Sequence, residues 1–115
     1  MKIELIKKDQ AFKEILRKNK VVLAYVFGSR VNGTADENSD LDVAVLLDEN
    51  LSKTQRFNLR LILMSRLEKF FGLKIDLVVF NDLTSLFFKH VIVSEGKLCF
   101  RRSEDFYLDF ECRLM

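Results

Sequence analysis

Two runs decide how this chain is read: Val21-Val22-Leu23-Ala24-Tyr25-Val26-Phe27-Gly28-Ser29 and, ten residues further on, Asp40-Leu41-Asp42-Val43-Ala44-Val45-Leu46-Leu47. Both are apolar and rich in β-branched residues, which predicts buried strands over about 21–27 and 40–47. Only about twelve residues lie between them, too few for a comfortable helical crossover, so the pair is expected to be antiparallel. A standard doubly wound start is thereby excluded. Positions i and i+2 of a strand share a face, so the carboxylates of Asp40 and Asp42 project side by side. Two adjacent anions call for a cation.

Working outward, residues 30–39 are polar and turn-rich, with Gly33 suited to a left-handed turn, and are expected to form a loop at one end of the sheet. Upstream, Asp9 is placed to cap a short amphipathic helix carrying Phe12, Ile15 and Leu16. Before it, Ile3-Glu4-Leu5-Ile6 reads either as a short edge segment or as a lead into that helix. Downstream, Ser52-Lys53-Thr54-Gln55 has the form of a capping box. Phe57, Leu61, Met64, Leu67 and Phe71 then recur at steps of three and four, predicting the longest helix, which ends near Gly72. Lys53, Arg56 and Arg60 are assigned to its solvated face.

The third predicted strand is 73–80, where Asp76 is the one charge inside the apolar part; a carboxylate there needs a cation or an exposed edge. Asn81 or Asp82 is expected to cap a helix to about Ile92, Gly96 to supply a turn, and Lys97 to Phe100 to form a last strand. Ser103, with Glu104 and Asp105, is expected to open a terminal helix. The predicted class is α/β (α+β): a small mixed β-sheet flanked by helices.

At 115 residues the expectation is a single domain spanning 1–115. Hydrophobic residues make up 49% and charged residues 31%, a globular balance without an 18-residue apolar stretch or a signal-peptide pattern. A cytoplasmic protein with no membrane association is expected. The net charge of +2 carries no direct nucleic-acid signal. Cys99 and Cys112 lack metal-ligand spacing and read as buried thiols, and the lone His90 reads as structural.

The chemistry sits in the opening stretch. Gly28 lets the backbone turn and approach a ligand closely, and Ser29 offers a hydroxyl and an amide to phosphate oxygens. Asp40 and Asp42 suit a hard cation such as Mg²⁺, and Asp76 on a neighbouring strand can complete the set. Three carboxylates beside a phosphate cradle fit two-metal nucleotidyl transfer. The plainer readings are a strand-ending turn at Gly28-Ser29, solvated strand-entry residues at 40 and 42, and an edge-exposed Asp76. Their joint occurrence favours the functional one.

Gly-Ser, ten residues, Asp-x-Asp and a third Asp in a later strand together resemble the signature of the polymerase β-type nucleotidyltransferase superfamily, matched here at Gly28, Ser29, Asp40, Asp42 and Asp76. Phe27-Gly28-Ser29-Arg30, Asn38-Ser39-Asp40 and Ser94-Glu95-Gly96-Lys97-Leu98 further resemble its minimal nucleotidyltransferase (MNT) group. The resemblance implies a nucleotidyltransferase (polymerase β-like) fold, two Mg²⁺ ions held by Asp40, Asp42 and Asp76 as catalytic and metal residues, and a nucleotide contact from Gly28, Ser29 and Arg30. It implies ATP as donor and a HEPN-domain protein as partner, because MntA-like antitoxins transfer AMP to a tyrosine of a HEPN toxin. Asn32 departs from the arginine common at that position in the group.

So short a chain has no residues left for an acceptor domain, so the acceptor site is expected to be shared with a partner or a second copy. Phe70-Phe71, Phe87-Phe88 and Phe106-Tyr107 together offer more aromatic surface than so small a core needs, which points to a protein interface, while each pair taken singly is read as core rather than interface, with one member facing inward. Two alternatives stand beside the main reading: transfer to a small molecule of the antibiotic type, and a binding-only antitoxin that neutralises its partner by contact.

Overall fold

The fold is taken from a computed structural model that describes residues 3–28, 40–103, 107–108, 110–111 and 113. Ser29, Arg30, Asn32, Gly33, Glu104, Asp105, Phe106 and Cys112 therefore lie outside the described residues. Helices α1 (Ile3–Lys8) and α2 (Gln10–Lys18) lead into strand β1 (Val21–Phe27), and β2 (Leu41–Leu47) is followed by α3 (Lys53–Phe71) and β3 (Ile75–Val79). A 3₁₀ turn (Phe80–Asp82), α4 (Leu86–Glu95) and β4 (Lys97–Arg101) follow, and residues 107–108, 110–111 and 113 are helical. Residues 3–8 thus form a helix of their own rather than an edge segment.

The sheet order is β3-β2-β1-β4, with β1 antiparallel to β2 and β4, and β2 parallel to β3. The expected mixed sheet and the antiparallel first pair are both present. Parallel β2 and β3 require a long return path, which α3 supplies over 19 residues. Its capping box closes as anticipated: the Gln55 amide donates to Ser52 Oγ at 3.1 Å and Gln55 Oε1 accepts from the Ser52 amide at 2.8 Å. Gly72 ends the helix at φ 65°, where a left-handed residue lets its amide reach Glu68 O. The Asp9 cap on α2 is likewise formed, accepting from the Phe12 amide at 3.1 Å.

Both faces of the sheet are buried. One packs Phe12 and Leu16 of α2 and Leu63 and Leu67 of α3 against Val26, Val43, Val45, Ile75 and Leu77. The other packs Phe80 and Ile92 against Val22, Leu23, Tyr25 and Ala44, with Phe110 beside them. Two irregularities set which residue goes where. The register slips between Val21 and Leu23, so Val22 and Leu23 both face the α4 side; it slips again at Cys99, so Cys99 and Phe100 both face α2. Cys99 is accordingly buried, donates to Ala24 O at 3.3 Å, and has its thiol pushed up to about 12 by burial.

Several expectations change. Of the predicted α3 stripe, Leu67 is buried and Met64 and Phe71 pack on the core, whereas Phe57 and Leu61 are 56% and 48% exposed and Leu63 is buried in their place. Lys53 is exposed as expected, and Arg56 and Arg60 are partly exposed but engaged by neighbours. Arg56 holds Asp82 at 2.7 Å and donates to Leu51 O, and Arg60 Nε donates to Leu77 O at 3.0 Å on the outer edge of β3. Phe70 and Phe71 both pack near Phe12, with ring centroids 5.9 Å away in each case, so that pair belongs to the core. Phe88 turns inward to Phe27 while Phe87 is 78% exposed, and His90 is exposed. Among the described residues no helix is long and apolar enough to cross a membrane.

Asn81 caps no helix; Ser85 caps α4 by accepting from the Phe88 amide at 3.1 Å. Asn81 instead reads the last residue of β2 as a strand would. Its Oδ1 accepts from Leu47 N at 2.9 Å and its Nδ2 donates to Leu47 O at 3.0 Å. Asn81→Ala leaves both backbone groups of a buried residue without partners and is expected to lower stability by roughly 1–3 kcal/mol. Urea denaturation with an unchanged m-value checks it.

Candidate active site

Three strand ends build the site. Asp42 is the second residue of β2, paired with Phe27 at the end of β1 on one side and with Asp76, the second residue of β3, on the other. Leu41, Val43 and Val45 alternate onto the α2–α3 face, and Ile75, Leu77 and Val79 do the same on β3. Alternation therefore sends Asp42 and Asp76, and Asp40 two positions before, to the opposite face, beside Phe27 and Val78. Asp42 and Asp76 meet through the parallel register, and Asp40, one residue before β2, is near enough for its charge to bear on Asp42.

Crowding leaves a signature on Asp42. It is half-buried, and its carboxyl is held above the usual carboxylate range by burial first, then by the charges of Asp76 and Asp40, and by a hydrogen bond with Asp76. Asp40 and Asp76 are exposed. Among the described residues no three acidic, histidine or cysteine side chains already stand close enough to cage an ion. Asp42 and Asp76 face each other through the parallel register, and a hydrogen bond between them requires a proton or, in its place, a cation. The donors are carboxylate oxygens, the set that a hard divalent ion takes.

No ion pair to Asp40, Asp42 or Asp76 comes from the described residues. Elsewhere the chain does pair its strand-end aspartates: Asp48 meets Arg102 and Asp82 meets Arg56, each at 2.7 Å. Structural carboxylates are neutralised by arginine here. The cluster at the other end is treated differently.

Gly28 turns at φ +81°, a conformation that L side chains rarely adopt, directly against Asp42. A Cβ there would collide with Asp42 Oδ2 and lie 3.0 Å from its Cγ. So Gly28 does more than permit a turn: it makes room for the carboxylate. Ser29 and Arg30, the other expected nucleotide contacts, lie outside the described residues.

Two features were not read as site elements beforehand. Gly96 was expected as a turn within the stretch that resembles the MNT group, and a Cβ there would lie 2.5 Å from Ile92 O, 3.0 Å from Val26 O and 3.2 Å from Phe27 Cβ. Close packing of the end of α4 on the end of β1 depends on that missing atom. Tyr25 donates to Glu111 Oε1 at 3.0 Å, and burial followed by that carboxylate pushes its phenol far up, so it stays protonated and ties residue 111 to the sheet.

Two measurements check this geometry. Gly28→Ala is expected to cost about 2 kcal/mol, from backbone strain plus displacement of Asp42, read by thermal or urea unfolding. For Asp42→Asn the sign follows from the raised carboxyl. The folded state holds that proton more tightly than the unfolded chain, so stability is fully present below the unfolded value and is lost as pH rises through the folded one. In metal-free buffer the variant should therefore melt above wild type at neutral pH, with the advantage vanishing as pH falls to the ordinary carboxylate range. A melting difference that grows on acidification would contradict the crowding.

The comparisons with known proteins follow that geometry. Residues 10–105 match the family model "Polymerase beta, Nucleotidyltransferase". A Methanocaldococcus jannaschii protein provisionally assigned as a protein adenylyltransferase is 38% identical over 88 residues, 70% of this chain and 86% of that one. The protein adenylyltransferase MntA of Shewanella oneidensis is 34% identical over 94 residues, covering 80% of this chain and 64% of its own length. Among solved structures, a toxin–antitoxin complex with AMP-PNP aligns at a TM-score of 0.63 and 32% identity over 83% of this chain and 74% of that one. A complex of the tri-AMPylated Shewanella oneidensis HEPN toxin with its MNT antitoxin aligns at 0.58 and 28% identity over 93% and 78%.

Proposed function

Because the chain belongs to the polymerase β nucleotidyltransferase family, we propose that it transfers AMP from ATP to a hydroxyl, a tyrosine being the expected acceptor, of a HEPN-domain toxin and so acts as its antitoxin. The observation that carries this reading is the carboxylate cluster: three aspartates on one face, with Asp42 raised by its neighbours and no described cation paired to them. Support for the acceptor class comes from the relatives, one a protein adenylyltransferase and one seen in complex with an AMPylated HEPN toxin.

Asp40, Asp42 and Asp76 are the residues that would hold Mg²⁺, as two ions. Bound there, they supply charge neutralisation of the triphosphate and activation of the acceptor oxygen. The chain's own groups do the rest. Gly28 keeps the β1 end free of a side chain, so that Asp42 and the donor phosphates can approach the same backbone corner. Ser29 and Arg30 are assigned to the phosphates by their place in the motif. Asp76, exposed on β3, accepts the proton of the incoming hydroxyl as its oxygen bonds to the α-phosphorus. The α–β phosphoanhydride bond breaks, and pyrophosphate leaves.

Incubation with α-labelled ATP, Mg²⁺ and a HEPN protein encoded beside this chain tests the reading. Label on the HEPN protein, reduced at least about 100-fold in Asp42→Asn, is the expected result. Full neutralisation of the toxin by that variant without label would sink it in favour of contact alone, and label on a small molecule without any partner would favour the antibiotic-type activity. Mg²⁺ should also raise the melting temperature of wild type while leaving Asp42→Asn nearly unmoved, as expected of a ligand bound only by the native site.

A further inference from the structure

Helix α3 has two apolar faces. One, with Leu63 and Leu67 at its centre, is buried against the sheet. On the other, Phe57, Leu61 and Ile62 are exposed to solvent. At about 3.6 residues per turn, Phe57 and Leu61 stand one above the other as a ridge, and Ile62 lies across from them. The strip between is made of Thr54, Asn58 and Ser65, short polar side chains that are all exposed. A helix that only covered the sheet would have no use for three large apolar side chains on that side.

The helix presents charge of one sign beside them. Lys53, Arg66 and Lys69 are exposed. Lys53 stands one turn before Phe57, Arg66 one turn after Ile62 and Lys69 one turn after Ser65, so cations stand at both ends of the strip. The one acid of α3, Glu68, is turned to the sheet, where its Oε2 accepts from the Ile75 amide at 3.0 Å. Arg56 and Arg60 are likewise engaged inward, with Asp82 and with Leu77 O.

Charge and shape together select the occupant. A second copy of the chain fits poorly, because an antiparallel dyad through Leu61 sets Lys53 of one copy against Lys69 of the other. A lipid surface needs an apolar centre to the face, and here the centre is Thr54, Asn58 and Ser65. Three cations neutralise few phosphates, which makes a weak site for nucleic acid. An acidic amphipathic helix meets every feature. Its apolar side chains seat between the Phe57–Leu61 ridge and Ile62, the short side chains of the strip admit close approach, and its carboxylates reach the cations at either end. Because α3 covers the face of the sheet opposite Asp42, a partner held there leaves the carboxylates accessible.

We infer that the outer face of α3 docks an acidic amphipathic helix of the HEPN-domain partner, whose identity rests on the AMP-transfer reading. Affinity for the HEPN protein encoded beside this chain is measured by calorimetry without nucleotide. Arg66→Glu/Lys69→Glu should weaken it at least about 10-fold and flatten its salt dependence. Leu61→Ser should weaken it roughly 5-fold or more with the fold intact by circular dichroism. Lys7→Glu/Lys8→Glu makes the same charge change on α1, which packs on β4 at the other edge of the sheet, and should leave affinity unchanged. A carbodiimide, which joins an amine to a carboxylate without a spacer, should link Lys53 or Lys69 to acidic residues of a single HEPN segment. No binding, binding indifferent to the α3 variants, no such link, or phosphatidylserine vesicles or single-stranded RNA bound as tightly through the same cations overturns the inference. A chain that neutralises by contact alone passes this test and fails the transfer assay, whereas HEPN protein that is labelled but bound regardless of the α3 variants does the reverse.

Discussion

A one-residue slip of β2 would undo this protein twice over, because side chains alternate with period two. Leu41, Val43 and Val45 would leave the α2–α3 core, and Asp42 would enter it. Burying an uncompensated carboxylate costs several kcal/mol, while withdrawing three core side chains forfeits about 1.5–3 kcal/mol each. The same hydrophobic pattern that holds the sheet together therefore aims the carboxylates. Their antiparallel partner Phe27 and parallel partner Asp76 are then set by pairing alone.

Charge is distributed along the sheet in a way that separates holding from acting. Asp48 and Asp82 are each tied to an arginine at 2.7 Å, which fixes strand ends and the turn after β3. At the other end Asp40, Asp42 and Asp76 stand together, and Asp42 is raised because burial and its neighbours oppose its ionisation. Mutual repulsion there is a cost carried by the fold that an added cation would relieve, so any cation bound there would be coupled to stability through Asp42. At the β3 edge, Glu68 and Arg60 of α3 satisfy the outer backbone of the strand.

Much of the architecture was legible because local signals agreed with the tertiary outcome. The capping box at Ser52, the Asp9 cap, Gly72 at the end of α3 and the β-branched runs of β1 and β2 all stand where spacing put them. The start of the α3 stripe was misread for a physical reason: Phe57, Leu59, Leu61, Ile62, Leu63 and Met64 crowd together in sequence, so Phe57 and Leu61 lead to Leu67 at helical steps as well as Leu59 and Leu63 do. Only the sheet decides which one is covered. Asn81 was misread because a polar residue after a strand commonly caps a helix, and nothing nearby in sequence reveals that Leu47 lies across from it.

The candidate residues were picked out by the sequence alone, since Gly28, Asp40, Asp42 and Asp76 announce themselves by spacing and by the alternation of the strands that carry them. Tertiary structure decided what no single segment contains. The parallel register brings Asp76 against Asp42, and the left-handed Gly28 clears space for that carboxylate. Local pattern can specify a residue's face and conformation, because those depend on its neighbours in the chain. Which distant charges share that face depends on how the sheet is ordered, and only the packed core sets that order.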